Sequence, residues 1–180
     1  MIPQEPDLEA AALDKPPPKL DPREFRSHLG CFATGVTIIT ALGGRGQMLG
    51  VTANSFNSVS LDPPLVLFSL DRRAFSLWDF LSTGHFAVNI LAEDQHELSD
   101  RFARTMSDKW SGVEWQTWDH GCPILAHCHA NFECSIAYTY AGGDHVIFVG
   151  RVERMAYDDA RRPLLYYRGA YHRLHEPSSE

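Results

Sequence analysis

Long apolar runs, an excess of positive charge and abundant cysteine are all missing from this chain of 180 residues. No segment approaches the roughly 20 consecutive apolar residues that a membrane-spanning helix needs, and the N-terminus has neither a basic start nor an apolar signal core. Asp and Glu outnumber Lys and Arg by 23 to 16, which gives a net charge of -7. The clustered cations that bind nucleic acid or an anionic membrane are therefore lacking. We expect a cytoplasmic protein without either partner.

Several catalytic motifs are missing too. The chain has no Gly-x-x-x-x-Gly-Lys phosphate loop and no Gly-x-Ser-x-Gly nucleophile turn, so the usual support for a kinase or hydrolase is gone. Gly44, Gly46 and Gly50 resemble a dinucleotide fingerprint, but their third spacing is wrong and they lead into a strand pattern instead of a helix. The four cysteines are interpreted as reduced thiols, the default for a chain without an export signal.

The segment His127-Cys128-His129, near Cys122 and Cys134, contains the residue types that bind zinc. If this segment is a strand, the two histidines point to one face and Cys128 to the other. The cysteine spacing matches no common zinc pattern. We therefore predict no metal and interpret these side chains as exposed or buried in a dimer.

The length and the 44% hydrophobic content suit one well-buried domain. Residues 1–20 are rich in proline and mixed in charge, which predicts a flexible arm. The domain is predicted over residues 21–175 and a tail over 176–180.

Short β-branched runs separated by turn residues predict a mainly β fold. A hairpin turn is predicted at Gly43–Gly46 and another connection at Asp62–Pro64. Without βαβ alternation, the pattern favours a β-barrel with peripheral helices over a doubly wound sheet. The predicted strands cover residues 36–40, 49–52, 65–68, 86–90, 130–140, 145–154 and 164–174.

Three short helices are predicted. The first is capped by Asp21 and packs Phe25, Leu29 and Phe32 through one face. The second covers about residues 74–81. The third opens at Asp94. Inward side chains of the second are predicted to be Leu77, Trp78 and Leu81, and those of the third Leu98 and Phe102.

The segment Gly50–Ser60 packs small residues, hydroxyls and amides at the end of a predicted strand. Such a segment lets the backbone approach a flat ligand while its N–H groups and short side chains form directed hydrogen bonds. A polar turn without a ligand would look broadly similar. The residues alone leave both interpretations open.

Six motifs, in order along the chain, resemble the flavin reductase family that supplies reduced flavin to two-component monooxygenases. The resemblance covers about residues 22–174. It implies a split β-barrel, usually a homodimer, that binds FMN or FAD, uses NADH or NADPH and delivers reduced flavin to a separate oxygenase. The motifs are Phe32-Ala33-Thr34-Gly35-Val36-Thr37, Thr52-Ala53-Asn54-Ser55-Phe56, Ser58-Val59-Ser60-Leu61-Asp62-Pro63-Pro64, Phe86-Ala87-Val88-Asn89-Ile90-Leu91, Gly143-Asp144-His145 and Gly169-Ala170-Tyr171-His172.

The same resemblance implies which residues bind the cofactors. Residues 34–37 and 50–60 would line the isoalloxazine and ribityl portions, and the group from Ser69 to Ser76 the phosphate end. Residues 101–103 would bring a helix against the flavin, and His145 would contact the nicotinamide dinucleotide. The full set is Thr34, Gly35, Val36, Thr37, Gly50, Val51, Thr52, Ala53, Asn54, Ser55, Ser58, Ser60, Ser69, Arg72, Ser76, Asn89, Phe102, Ala103, His145, Arg168 and Tyr171.

Hydride transfer from nicotinamide C4 to flavin N5 needs positioning more than a catalytic acid or base. Backbone donors in Thr52–Ser55 would stabilise negative charge on the flavin N1/O2 edge. The alternative is an electron carrier of the same fold that holds flavin tightly without nicotinamide turnover; His145 favours the enzyme. One departure is His127-Cys128-His129, where the family commonly has small apolar residues.

Overall fold

The computed structural model describes residues 19–105 and 108–175. Most of the predicted arm and the whole predicted tail lie outside these described residues. Among the described residues, no helix is both long and apolar enough to cross a membrane. In chain order the elements are α1 (Pro22–Leu29), β1 (Thr34–Gly35), β2 (Thr37–Leu42), β3 (Met48–Ala53), β4 (Asn57–Leu61), β5 (Pro64–Asp71), α2 (Leu77–Ser82), β6 (His85–Ile90), α3 (His96–Ala103), β7 (Trp115–Thr117), β8 (Pro123–Leu125), β9 (Ala130–Gly142), β10 (His145–Tyr157), β11 (Leu165–Tyr167) and β12 (Ala170–His172).

Seven strands form one antiparallel sheet in the order β3-β2-β6-β9-β10-β5-β4. Its two edge strands, β3 and β4, are consecutive in the chain, with only residues 54–56 between them. The four Cα steps from Ala53 to Asn57 span at most about 14 Å. The sheet must therefore curl until its edges approach each other. The mainly β fold with few helices is confirmed.

The main core lies on one face of this curled sheet. It takes buried side chains from six of the seven strands and from α2. Phe68 stacks on Phe148 with ring centroids 4.8 Å apart, and Phe86 meets Phe68 edge-on at 5.0 Å. Full burial of each such ring contributes roughly 1.5 to 3 kcal/mol, so these phenylalanines hold β5, β6 and β10 together.

The predicted strands all appear, but the last one is two strands. Arg168 and Gly169 have φ angles of 49° and 81° and turn the chain between β11 and β12. Positive φ at both central positions identifies a type I′ hairpin turn. The strands β1, β7 and β8 escape prediction because their runs are only two or three residues long. Strand β4 escapes prediction because its residues lie in or next to the polar segment Gly50–Ser60 and contain no β-branched run. The hairpin turn at Gly43–Gly46 is confirmed, since β2 and β3 pair around it.

The helices differ from prediction in their packing. Asp21 caps α1 as predicted, accepting bonds from the N–H groups of Arg23 and Glu24. However, no residue of α1 is buried, so the predicted packed face is wrong. In α2 the buried residues are Leu77, as predicted, and Phe80, whereas Trp78 is 78% exposed. Helix α3 begins one residue later than predicted: Gln95, not Asp94, is its N-cap.

Candidate functional site

A cleft of about 1360 Å³ opens beside the joined edges of the sheet. Its lining comes from residues 26–32 of α1 and the following turn, from Thr34, from Asn54 and Ser55, and from Tyr166 with the β11–β12 turn. The volume exceeds the roughly 300 to 1,000 Å³ of an ordinary small-molecule site. There is room for more than one ring system.

The wall at Asn54 and Ser55 is fixed by a contact across the sheet edges. The Ser55 hydroxyl accepts a bond from the Ser69 N–H at 2.9 Å and donates to the Ser69 carbonyl at 3.2 Å. Ser69 pairs with Ile147, two residues along β10 from His145. The predicted site segments 52–55 and 69–76 are therefore neighbours. The Ser55 hydroxyl, however, makes its hydrogen bonds to the Ser69 backbone and not to a ligand.

Strand β3 behind this wall has its free edge covered by side chains. The Trp110 indole donates to the Met48 carbonyl at 3.2 Å, and the Lys109 ammonium donates to the Gly50 carbonyl at 3.3 Å. Burial lowers the pKa of Lys109. A Cβ on Gly50 would lie 2.3 Å from the Phe102 ring. Gly50 is therefore explained by protein packing and not by a close ligand.

The threonine hydroxyls of the predicted site also bond to protein atoms. Thr37 donates to the Ala53 carbonyl at 2.6 Å, and Thr52 donates to the Ser99 carbonyl at 2.6 Å. These bonds hold the end of β3 to β2 and α3. Thr37 and Thr52 shape the wall and do not offer free donors.

Three further predicted residues, Val36, Asn89 and Phe102, lie in the interior. Asn89 is 0% exposed. Its amide donates to the Ile38 carbonyl and to the Thr40 hydroxyl, and its oxygen accepts bonds from the Leu125 N–H and the Asn131 amide. The structure thus corrects the assignment of Asn89 as a ligand contact, because all its bonds are made within the protein.

Phe102 is likewise 0% exposed, against Trp110 at a ring-centroid distance of 5.0 Å, and Val36 is 2% exposed. Neither side chain can touch a ligand in the cleft. Phe102 packs the inner face of α3, whereas Ala103 at the end of α3 is exposed.

The predicted phosphate end and nicotinamide side meet at one end of β5 and β10. Asp71 pairs with His145, and the Arg72 N–H donates to the Asp144 carbonyl at 2.9 Å. The Arg73 guanidinium holds the pKa of Asp71 well below its usual range. A hydrogen bond from His145, 2.7 Å away, lowers the pKa of Asp144.

Other predicted site residues lie around the cleft wall and around the end of β5 and β10. Tyr171 on β12 donates its hydroxyl to Asp100 at 2.7 Å, and burial raises the pKa of Tyr171. Ser58 and Ser60 lie on the edge strand β4, and Ser76 precedes α2. The structure brings only Thr34, Asn54, Ser55 and Arg168 of the predicted set into the cleft lining itself.

The contribution of α1 to the cleft is absent from the sequence-based prediction. Leu29 and Phe32 line the cleft and are 58% and 74% exposed. The spacing of these residues did signal an apolar face. The predicted core packing of that face is wrong because periodicity does not tell a core from a ligand-facing wall.

The lining fits a flat, partly polar ring. The Thr34 hydroxyl is buried and has no hydrogen-bond partner among the described residues, which leaves a donor and acceptor for a ligand. Asn54 is exposed on the same cleft, and Leu29, Phe32 and Tyr166 give apolar surface. An isoalloxazine, apolar on its faces and polar at one edge, matches this chemistry.

The His127-Cys128-His129 segment is a turn and not a strand, with His127 at a φ of 61°. His127 bonds to Glu114 at 3.2 Å, and His129 approaches the Asp158 carbonyl at 3.2 Å. Cys128 is buried, which raises its pKa to about 12. Within residues 19–105 and 108–175, no three potential metal ligands come together, and all four cysteines are free thiols.

Comparisons with known proteins agree with these features. Residues 29–175 match the family model described as flavin reductase like domain. A probable flavin reductase of Rhizobium meliloti is 44% identical over 151 residues, which is 84% of this chain and 48% of that protein. The chain thus spans about half the length of that relative.

Two further relatives match over most of their own length. The reductase subunit of a flavin-dependent monooxygenase of Rhodococcus jostii is 42% identical over 84% of this chain and 77% of that protein. The structure of an NADH:FAD oxidoreductase of Streptomyces globisporus, in complex with NAD and FAD fragments, superposes with a TM-score of 0.83. It is 35% identical and covers 91% of this chain and 100% of that one.

Proposed function

The chain belongs to the flavin reductase like domain family, and from this premise we propose that it reduces FMN or FAD with NADH or NADPH. The reduced flavin would pass to a separate oxygenase. The names of the relatives, one a monooxygenase reductase subunit and one an NADH:FAD oxidoreductase, support this proposal.

The observation that carries the proposal is the composition of the cleft wall. The unpartnered Thr34 hydroxyl and the exposed Asn54 lie in one cleft with apolar surface from Leu29, Phe32 and Tyr166. Polar atoms on one side and apolar surface on the other are the arrangement that orients a heteroaromatic ring. The size of the cleft leaves space for a nicotinamide beside it.

In this proposal Thr34, Asn54 and the backbone of residues 54–55 hold the flavin. When bound, the flavin supplies the redox chemistry by accepting at N5 a hydride from nicotinamide C4. The protein's part is positioning, which can lower a barrier by several kcal/mol without a catalytic acid or base. Donors near residue 54 would stabilise charge on the N1/O2 edge, and the apolar side chains of α1 would exclude water.

The proposal also includes a split barrel, a homodimer and a cytoplasmic location. A split barrel agrees with edge strands joined by residues 54–56 and by the Ser55–Ser69 bonds. A homodimer agrees with exposed apolar residues such as Phe25, Leu61 and Phe75. Four free thiols agree with a reducing compartment such as the cytoplasm.

The second candidate is a tight flavin-binding electron carrier that does not react with nicotinamide nucleotides. His145 is hydrogen-bonded to Asp144 and lies on β10 two residues from Ile147, which pairs with Ser69 behind the cleft wall. This position favours the reductase. An imidazole oriented by the bond to Asp144 would be able to contact a dinucleotide bound beside the cleft wall.

The test is to add FMN or FAD to the purified protein and then NADH or NADPH without oxygen. The reductase is expected to bleach the flavin with at least one nucleotide, many times faster than the mixture without protein. Persistent flavin colour with both nucleotides would contradict the reductase. Flavin that remains bound through gel filtration would in that case support the carrier.

A further inference from the structure

The cleft carries two cationic side chains whose purpose the flavin ring does not explain. Arg26 on α1 and Arg168 in the β11–β12 turn both line it, and within residues 19–105 and 108–175 no Asp or Glu is among its lining residues. The whole chain has a net charge of -7. Positive charge is thus concentrated at this cleft against the overall balance, which attracts an anion to it.

The two arginines are held close together by backbone contacts. The Arg168 N–H donates to the Gly30 carbonyl at 3.0 Å, and the Gly30 N–H donates to the Arg26 carbonyl at 2.9 Å. Arg26 and Gly30 are four positions apart, a rise of about 6 Å along the helix. Two guanidinium groups that line one cleft can each take one phosphate of a diphosphate, with the bidentate geometry that arginine favours.

Arg168 occupies a backbone position that does not suit an arginine. Its φ of 49° lies in the left-handed region, and it precedes Gly169 at 81°. Type I′ turns of this kind prefer Asn-Gly, because a longer side chain gains nothing to offset the strain. A strained residue at a cleft is a reason to look for a function of its side chain. The guanidinium also lies 5.3 Å from the Tyr167 ring centroid, which restricts its position.

The C-terminal end of α1 does not oppose an anion here. A helix C-terminus carries partial negative charge on its free carbonyls. In the last turn of α1 and at its C-cap Gly30, however, the carbonyls of Arg26, His28, Leu29 and Gly30 each accept a backbone N–H. The guanidinium groups are therefore the main charges that the cleft presents.

We propose that Arg26 and Arg168 clamp the diphosphate of a dinucleotide in this cleft. The inference rests on the proposed function, in which NAD(P)H and FAD are both dinucleotides with a diphosphate. FMN and reduced nicotinamide mononucleotide have only one phosphate and need only one arginine or none. The two arginines would therefore bind a dinucleotide more tightly than the corresponding mononucleotide.

The test uses Arg168→Asn, which suits the turn, together with Arg26→Gln, which suits the helix. Arg45→Gln is the matched control, because Arg45 lies in the exposed turn at the opposite end of β3 from Asn54. Calorimetry would give dissociation constants for FAD, FMN, NADH and reduced nicotinamide mononucleotide. The double variant is expected to bind at least one dinucleotide roughly tenfold or more weakly than the parent does. The matching mononucleotide should lose clearly less affinity, and the control should bind every ligand like the parent.

Weakening confined to NADH assigns the clamp to the nicotinamide dinucleotide, and weakening confined to FAD assigns it to the flavin. Unchanged binding of both dinucleotides, or equal weakening for the mononucleotides, would overturn the proposal. Arg168→Asn should unfold at the same or a higher temperature than the parent, which separates lost charge from a lost fold. Since binding is measured without turnover, a protein that bound FAD through the clamp but did not reduce it would contradict the proposed function alone.

Discussion

The hydroxyl of Ser55 forms two hydrogen bonds to the backbone of Ser69, one accepted at 2.9 Å and one donated at 3.2 Å. Ser55 follows one edge strand of the sheet, and Ser69 lies on β5, next to the other edge. One side chain therefore joins the two sides of the curled sheet. Asn54, the adjacent residue, projects from this junction into the cleft lining.

Ser55→Ala is expected to lower the free energy of unfolding by about 1 to 2 kcal/mol, because two backbone groups of Ser69 lose their partner. Flavin should also bind several times more weakly, since Asn54 would lose its fixed position. Urea unfolding and flavin titration measure the two effects. Ser82→Ala, which removes one local bond at the end of α2, is the control. If Ser55→Ala is destabilised but binds flavin like the parent, the Ser55–Ser69 bonds stabilise the fold and do not position the flavin-binding wall.

Gly35→Ala tests whether a ligand approaches β1. A Cβ at Gly35 would meet no atom of residues 19–105 and 108–175 within 4 Å, and the same is true at Gly44 in the distant hairpin turn. Both variants are expected to keep the parent stability within about 0.5 kcal/mol. Only Gly35→Ala should weaken flavin binding, because the added methyl group would occupy ligand space. If both variants bind flavin like the parent, Gly35 does not contact it.

Asn89→Ala should destabilise the protein by about 2 to 5 kcal/mol, since it leaves several buried partners unpaired. The measurement is urea unfolding, with Asn57→Ala on the exposed strand β4 as the control. Flavin affinity of the folded variant should remain close to that of the parent, because Asn89 is 0% exposed. A large loss of flavin affinity with little loss of stability would restore Asn89 as a direct ligand contact.

Cys31 is the exposed thiol in the cleft lining, whereas burial raises the pKa of Cys122, Cys128 and Cys134 to about 12. A thiol reagent should therefore modify Cys31 rapidly in the native protein and the buried thiols only after unfolding. Saturating flavin is expected to slow the modification of Cys31. Cys31→Ser should abolish the rapid phase. Equal rates with and without bound flavin would contradict placement of the flavin beside α1.

Tyr171 links β12 to α3, and its pKa is raised by burial. Because the pKa of Tyr171 is higher in the folded than in the unfolded protein, the protonated side chain contributes its full stability below the unfolded pKa of about 10. That contribution is lost as the pH rises through the folded pKa. The parent should therefore lose stability relative to Tyr171→Phe above about pH 10. Urea unfolding between neutral and alkaline pH tests this. An identical pH dependence in both proteins would show that Tyr171 titrates normally.

Local residue chemistry predicted much of the chain. Asp21 caps α1, the glycines of 43–46 turn a hairpin, and the β-branched runs form strands, since each depends on nearby residues. Packing was less predictable. The face of α1 lies open beside a cleft, and Trp78 points outward while Phe80 is buried, because periodicity shows that an element has an apolar face but not what covers it.

For the candidate site, the sequence determined which short polar residues end β3, and ordered motifs indicated the family. Only the tertiary structure decided which of them can meet a ligand. Asn89 and Phe102 are buried because distant strands and α3 close over them, whereas Arg26 joins the cleft because Gly30 bonds to Arg168, 138 residues further along the chain. Contacts of that sequence separation depend on how the sheet curls, and no local pattern encodes that curvature.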